Sequence, residues 1–174
     1  MKKLMLSVFA LAAIVLSASA ADNNSSQTKS TTAKANLYKG LTVTNPNSQG
    51  INFGTIAVGA TDANVTLTPA ASATNTFSDV SATNISGTTP TAAMFNITGQ
   101  SGKTFTITLP PTAVQLGTNE ATVTNFTCSV ATAGTATITG GSLDIYVGAK
   151  LNYTVANVTG TNLSANFDVV VAYN

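Results

Sequence analysis

Histidine, arginine and tryptophan are absent from the 174-residue sequence, and cysteine occurs once. Without histidine there is no imidazole general base, no serine–histidine–aspartate triad and no histidine-ligated metal. A single cysteine excludes an intrachain disulfide framework and every multi-cysteine zinc site. Charged residues are only 7% of the chain, 7 lysines against 6 acids, so no strongly basic surface exists for nucleic acid or anionic lipid. Convincing helical periodicity is missing beyond the first twenty residues, as is any apolar run long enough to span a membrane. These absences speak against most enzymes, against nucleic-acid binding and against a membrane span in the body of the chain.

What the sequence does have begins with an export signal. Lys2 and Lys3 form a short positive region, Leu4 to Leu16 is almost unbrokenly apolar, and Ala18-Ser19-Ala20 is a small-x-small cleavage site. That run is shorter than the roughly 20 residues of a spanning helix and predicts a secretory signal peptide over residues 1–20. No cysteine follows it, so lipoprotein anchoring is not expected. The mature chain would carry 5 lysines and 6 acids, a net charge of −1.

Residues 21–36 (ADNNSSQTKSTTAKAN) hold no large apolar side chain and predict an extended or disordered N-terminal extension. From Leu37 to Asn174, short alternating runs rich in Thr, Val, Ile and Phe are separated by Gly, Asn, Pro and Ser. Threonine, 31 residues in all, suits the half-buried face of a strand better than a helix. Strands are expected at 35–44, 51–58, 64–68, 77–85, 93–98, 103–109, 120–128, 135–139, 142–147, 151–155 and 166–174. The clearest alternation is Phe105, Ile107 and Leu109 against three threonines, stopped by Pro110-Pro111. Many short strands with frequent turn signals predict an all-β antiparallel sandwich, a single domain over 37–174.

Few residues offer chemistry. Asp62, Asp79, Glu120, Asp144 and Asp168 are far apart and in no calcium-loop spacing. Asp144 and Asp168 lie opposite the apolar faces of their strands and should point to solvent. Cys128, on the strand face of Phe126, reads as a small core residue, since no base is present to activate it. Gly99-Gln100-Ser101-Gly102 and Gly140-Gly141 fall between strands as turn residues. Nine Asn-x-Ser/Thr triplets occur where 17 asparagines in a chain this rich in Ser and Thr give roughly four or five by chance; the polar–apolar–polar habit of strands raises that number, and they are not taken as glycan acceptors. Tyr38 and Tyr146 fall opposite the apolar faces of their strands; the other aromatics are expected in the core. No catalytic, cofactor or metal site is expected, and the chain is not expected to be an enzyme.

The segments Asn52-Phe53-Gly54-Thr55-Ile56, Val58-Gly59-Ala60, Val65-Thr66-Leu67-Thr68-Pro69 and Phe95-Asn96-Ile97-Thr98-Gly99 occur in order along the chain. Phe105 to Pro110, Leu143 to Leu151 (LDIYVGAKL) and the closing Tyr173-Asn174 follow them. The ordered set, over about Ala35 to Asn174, resembles the bacterial family called domain of unknown function 4402. More distantly the plan is similar to pilin subunits of the chaperone–usher pathway, of the spore-coat-U-like and alpha types.

The pilin resemblance implies an immunoglobulin-like sandwich lacking one strand, which a neighbour's N-terminal extension completes by strand addition. Thr31, Ala33, Ala35 and Leu37 would be the donor strand. Phe167, Val169, Val171 and Tyr173 would form the C-terminal strand that borders the groove and is read by a chaperone. It further implies self-association into a fimbria-like filament, a periplasmic chaperone and outer-membrane usher as partners, and passage through the periplasm to the cell surface. A different expectation is a monomeric secreted binding module for glycan or a host surface, using loops at one end of the sandwich.

Overall fold

The computed structural model describes residues 29–46, 48–130, 134–160 and 162–174; the leader and the triplets at Asn23 and Asn24 lie outside them. The chain divides into two units, Met1–Asn36 and Leu37–Asn174. In the first, the described residues Lys29–Asn36 are exposed throughout and form no strand.

The second unit is all-β. In chain order its strands are β1 (Thr42–Thr44), β2 (Ile56–Ala57), β3 (Ala63–Leu67), β4 (Asn75–Phe77), β5 (Thr83–Asn84) and β6 (Ala93–Thr98). They continue with β7 (Thr104–Thr108), β8 (Val114–Leu116), β9 (Ala121–Cys128), β10 (Thr135–Thr137), β11 (Ser142–Tyr153) and β12 (Val170–Tyr173). The one helical element among the described residues is a single 3-10 turn, Val155–Asn157. Every pairing is antiparallel. The large sheet runs β1-β6-β11-β3-β4, with β9 also on β11 and β8 on β9; a second runs β10-β7-β12, and β2 pairs β5.

Alternation places the core. Along β7, Phe105 and Ile107 are buried while Thr104 and Thr108 are exposed. Facing them are Ile97 of β6 and Ile145 of β11, with Ile138 between, and this cluster holds the two sheets together as a sandwich. Fully burying side chains of this size contributes about 1.5–3 kcal/mol each. A separate cluster, built on Val65, Leu67, Val123, Ala149 and Tyr153 with Phe53, occupies the other half of the large sheet.

β11 belongs to both clusters and departs from the sequence expectation: the runs 142–147 and 151–155 form one twelve-residue strand. Its neighbour on one edge changes from β6 (Ser142–Val147) to β3 (Lys150–Tyr153), and the change falls at Gly148. There the chain leaving β3 crosses so closely that a Cβ would meet the Leu67 carbonyl, with Pro69 N and Thr68 C at 2.9 Å. Glycine is therefore a place of close approach here and not a break. On the other edge, Ala149 faces two residues of β9 where the register shifts, a bulge with Asn125 at φ +48°. Asparagine tolerates that conformation better than most residues. The bulge lets Val123, Phe126 and Cys128, which do not share a parity, all turn inward.

Other boundaries also differ. The 35–44 run pairs only over Thr42–Thr44, and 166–174 only over Val170–Tyr173. The 77–85 run splits between β4 and β5 around a turn in which Asp79 accepts from Ser81.

Candidate functional site

Beside the Tyr153 half of the large sheet lies an open cleft of about 750 Å³. Its floor is Leu151 and Tyr153 of β11 with Ala121, Val123 and Phe126 of β9, extended by Val114 and Leu116 of β8. One wall is the segment Ile51–Ile56 with Val58. The other is Val158 and Gly160 with the stretch from Asn162 to Phe167, in which Leu163 and Phe167 point inward. Phe167 stacks on Phe126 with ring centroids 5.2 Å apart and planes tilted by 39°, an arrangement aromatic pairs favour.

One wall has main chain to spare. Ile51–Ile56 is largely engaged: the Asn52–Thr91 bridge and the β2–β5 pair take one side, Phe53 O accepts from Asn75 Nδ2 (2.7 Å) and Asn84 Nδ2 (3.3 Å), Gly54 N donates to Asn52 Oδ1 and Thr55 N to Thr88 Oγ1. Residues 162–169 belong to no strand and no bridge among the described residues. In a β-protein such main chain is a template for another strand.

The cleft is nearly uncharged. Glu120 is its one ionisable acid, and its carboxylate accepts from Thr159 N (3.3 Å) and Thr159 Oγ1 (2.9 Å), tying the 158–167 wall to the start of β9. Tyr153 is buried, and its hydroxyl makes no hydrogen bond of full geometry, only a weak contact with the Gly59 main-chain N–H. Burial pushes its pKa above the usual tyrosine value, and the charge of Asp79 adds to this. Asp79 itself is held below the usual carboxylate range by hydrogen bonds from Ser81 N (2.9 Å) and Ser81 Oγ (2.7 Å), with Thr61 Oγ1 at 3.2 Å contributing less.

The residues singled out in the sequence fall in three places. Thr31, Ala33 and Ala35 lie among the exposed described residues of the first unit, and Leu37, at the start of the second, is 90% exposed. Phe167 lines the cleft, whereas Val169, Val171 and Tyr173 pack against the second cluster, beside Phe105 and Ile107. Cys128 is half-buried at the margin of that cluster, its Sγ 3.6 Å from the Val130 carbonyl oxygen. Asp144 is exposed and accepts from Asn96 Nδ2 at 2.6 Å; Asp168 is also exposed. Tyr38 is 55% exposed, while Tyr146 is half-buried against the first cluster.

Sequence reading missed β8 and the contributions of Val158, Leu163 and Glu120. The i, i+2 spacing of Val114 and Leu116 was the available signal for β8; isolated apolar residues in loops give none. Among the described residues, no three of His, Cys, Asp and Glu gather as metal ligands, and no helix is long and apolar enough to cross a membrane.

At the opposite end of β11 a second constellation holds the root of the N-terminal extension. Tyr173 Oη accepts from Gln100 N (2.6 Å) and donates to the carbonyl of Lys39 (2.8 Å). Lys103 Nζ donates to Tyr38 Oη (3.2 Å) and sits 4.3 Å from the centre of that ring, a cation–π contact. Room for the Tyr173 hydroxyl comes from Gly99, where a Cβ would run into it.

No curated protein and no solved structure matches the chain. Residues 41–173, the run from β1 through β12 with the cleft, match a family described as a domain of unknown function (DUF4402), and the chain belongs to that family.

Proposed function

We propose that the protein is a non-enzymatic, exported structural subunit of a fimbria-like surface filament, assembled by strand donation between copies. The observation that carries this reading is the cleft with its apolar floor, walled on one side by main chain at 162–169 that joins no strand, in a chain whose described extension residues, Lys29–Asn36, are exposed and in no strand. A strand laid in the cleft gains main-chain hydrogen bonds along a wall and sets alternate side chains onto Val123, Phe126 and Leu151. Thr31, Ala33, Ala35 and Leu37 are the donor face. Left empty, such a cleft is an aggregation hazard, which calls for a periplasmic chaperone before an outer-membrane usher hands the subunit on. The strip from Phe167 through Val169 and Val171 to Tyr173 runs from the cleft to a sheet edge and is the strand the chaperone would read.

A second reading, a monomeric surface binding module, is favoured by the cleft volume alone, which lies within the roughly 300–1,000 Å³ usual for small-ligand sites. The two separate on purified chain beginning at Ala21. Unboiled SDS gels of the wild type should show a ladder that collapses on boiling. Leu37→Asp should run as monomer while keeping its β-sheet circular dichroism. Monomer in every lane overturns the filament reading and turns the search to ligands of the cleft.

A further inference from the structure

Asp144 and Tyr146 share a face of β11 that takes no part in the cleft. The β6–β11 register runs without a break from Ser142 to Val147. Alternation therefore puts Asp144 and Tyr146 on one side of the strand and Leu143, Ile145 and Val147 on the other. Across the ladder Asp144 faces Asn96 and Tyr146 faces Met94, and β1 adds Thr44 opposite Asn96. None of these five outer-face residues lines the cleft. Asp144 and Thr44 are exposed, while Asn96, Met94 and Tyr146 are half-buried.

The polar pair is fixed by its own chemistry. Asn96 Nδ2 donates to Asp144 Oδ1 at 2.6 Å, a charge-assisted bond that orients both side chains. It uses one N–H of the amide and one oxygen of the carboxylate. The second amide N–H, the amide oxygen and Asp144 Oδ2 are not spent on it. Two residues along, about 6.7 Å, Tyr146 is seated against the first cluster. Its main-chain N–H donates to Ser129 Oγ at 2.9 Å, and its carbonyl accepts from Ser129 N at 2.8 Å. A ring held in this way loses little freedom when a ligand stacks on it.

From this arrangement we infer that Asp144, Asn96 and Tyr146 form a binding site for a neutral hexopyranose, free or within a glycan chain. A pyranose ring has an apolar C–H face and a rim of hydroxyls. The Tyr146 ring suits the face, and the carboxylate and amide beside it suit the rim. Asp144, whose partner is an uncharged amide, repels an acidic sugar. A peptide strand is not the occupant, because β6 is bonded by β1 on one edge and β11 on the other and has no main chain to offer there. The site rests on neither reading of the cleft. In a filament it would repeat once per subunit, so that single contacts of low affinity add up along the fibre.

The test is saturation-transfer difference NMR on chain beginning at Ala21, which observes the sugar and so reads monomer and multimer alike. The probes are methyl α-D-glucoside, methyl α-D-mannoside, methyl α-D-galactoside and N-acetylglucosamine, with glucuronate as the acidic comparison. Transfer to at least one neutral probe is expected, strongest on its ring C–H protons, and less to glucuronate. Asp144→Ala, an exposed position, should weaken binding about tenfold, the effect of one hydrogen bond to a charged group. Tyr146→Leu, checked for retained β-sheet circular dichroism, should remove the signal on the C–H face. Absence of transfer to all four neutral probes overturns the inference. Transfer that survives both substitutions places the sugar elsewhere and overturns it as well, as does equal transfer to glucuronate.

Discussion

The Tyr173 hydroxyl donates to the carbonyl of Lys39, 134 positions earlier in the chain, at 2.8 Å. The same oxygen accepts from Gln100 N, so one phenol ties the last strand, the β6–β7 turn and the segment leading into β1. Tyr173→Phe keeps the ring against Phe105 but leaves a main-chain donor and a carbonyl without this partner. A loss of about 1–2 kcal/mol is expected, read as a lower urea midpoint with unchanged slope.

Gly148→Ala should be more damaging than its size suggests. The added methyl meets main-chain atoms of Leu67, Thr68 and Pro69, none of which can rotate away. The cost expected is about 1–3 kcal/mol. Gly140→Ala, where nothing lies within 4 Å but φ is +68°, separates backbone strain from a steric clash. Thermal melts of both variants give the comparison.

Tyr153→Phe should stabilise the domain. The hydroxyl is buried with no hydrogen bond of full geometry, only the weak Gly59 N–H contact, and relieving it should return about 1 kcal/mol. There is a pH signature as well. The folded pKa is raised above the unfolded value, so the stability linked to it is fully present below about pH 10, the ordinary tyrosine value, and is lost as pH rises through the folded pKa. The wild type should lose stability in that alkaline window and the Phe variant less so, as denaturant midpoints taken across it will show.

Asp79 gives the opposite sign. Its folded pKa is lowered by the Ser81 and Thr61 hydrogen bonds, so its contribution is present above the ordinary carboxylate pKa and disappears as pH falls through the folded one. The gap in melting temperature between wild type and Asp79→Asn should be widest near neutrality and close in acid.

Period-2 alternation made most of the sheet legible. Phe105 and Ile107 against threonines, and Leu143, Ile145 and Val147 against polar neighbours, can satisfy burial only as strands with one inward face. What alternation cannot give is who pairs with whom. Gly148 looked like an end of a strand because, from sequence, a glycine that breaks a run and one that admits a crossing chain are the same letter. The bulge at Asn125 was hidden likewise, since an extra residue in a ladder is defined by the partner strand. The N-terminal segment was readable as lacking a core, and the family through its ordered motifs. The cleft was not, because its walls come from residues more than one hundred positions apart, and Val158 and Leu163 sit in loops without periodicity.

β11 reaches from the Tyr173 contacts to the cleft, paired with β6 and then β3 along one edge and with β9 along the other from Val147 onward. Tension applied between Leu37 and the cleft floor would act along that strand, loading its ladders sideways. Bonds loaded this way must give together, whereas a hairpin pulled open from one end yields a pair at a time. The twelve-residue strand would thus serve as a tie rod, and its rupture force, measured by pulling the domain from residue 37 against residue 151, should exceed that for pulling residue 137 against the facing residue 104 at one end of the neighbouring β10–β7 pair.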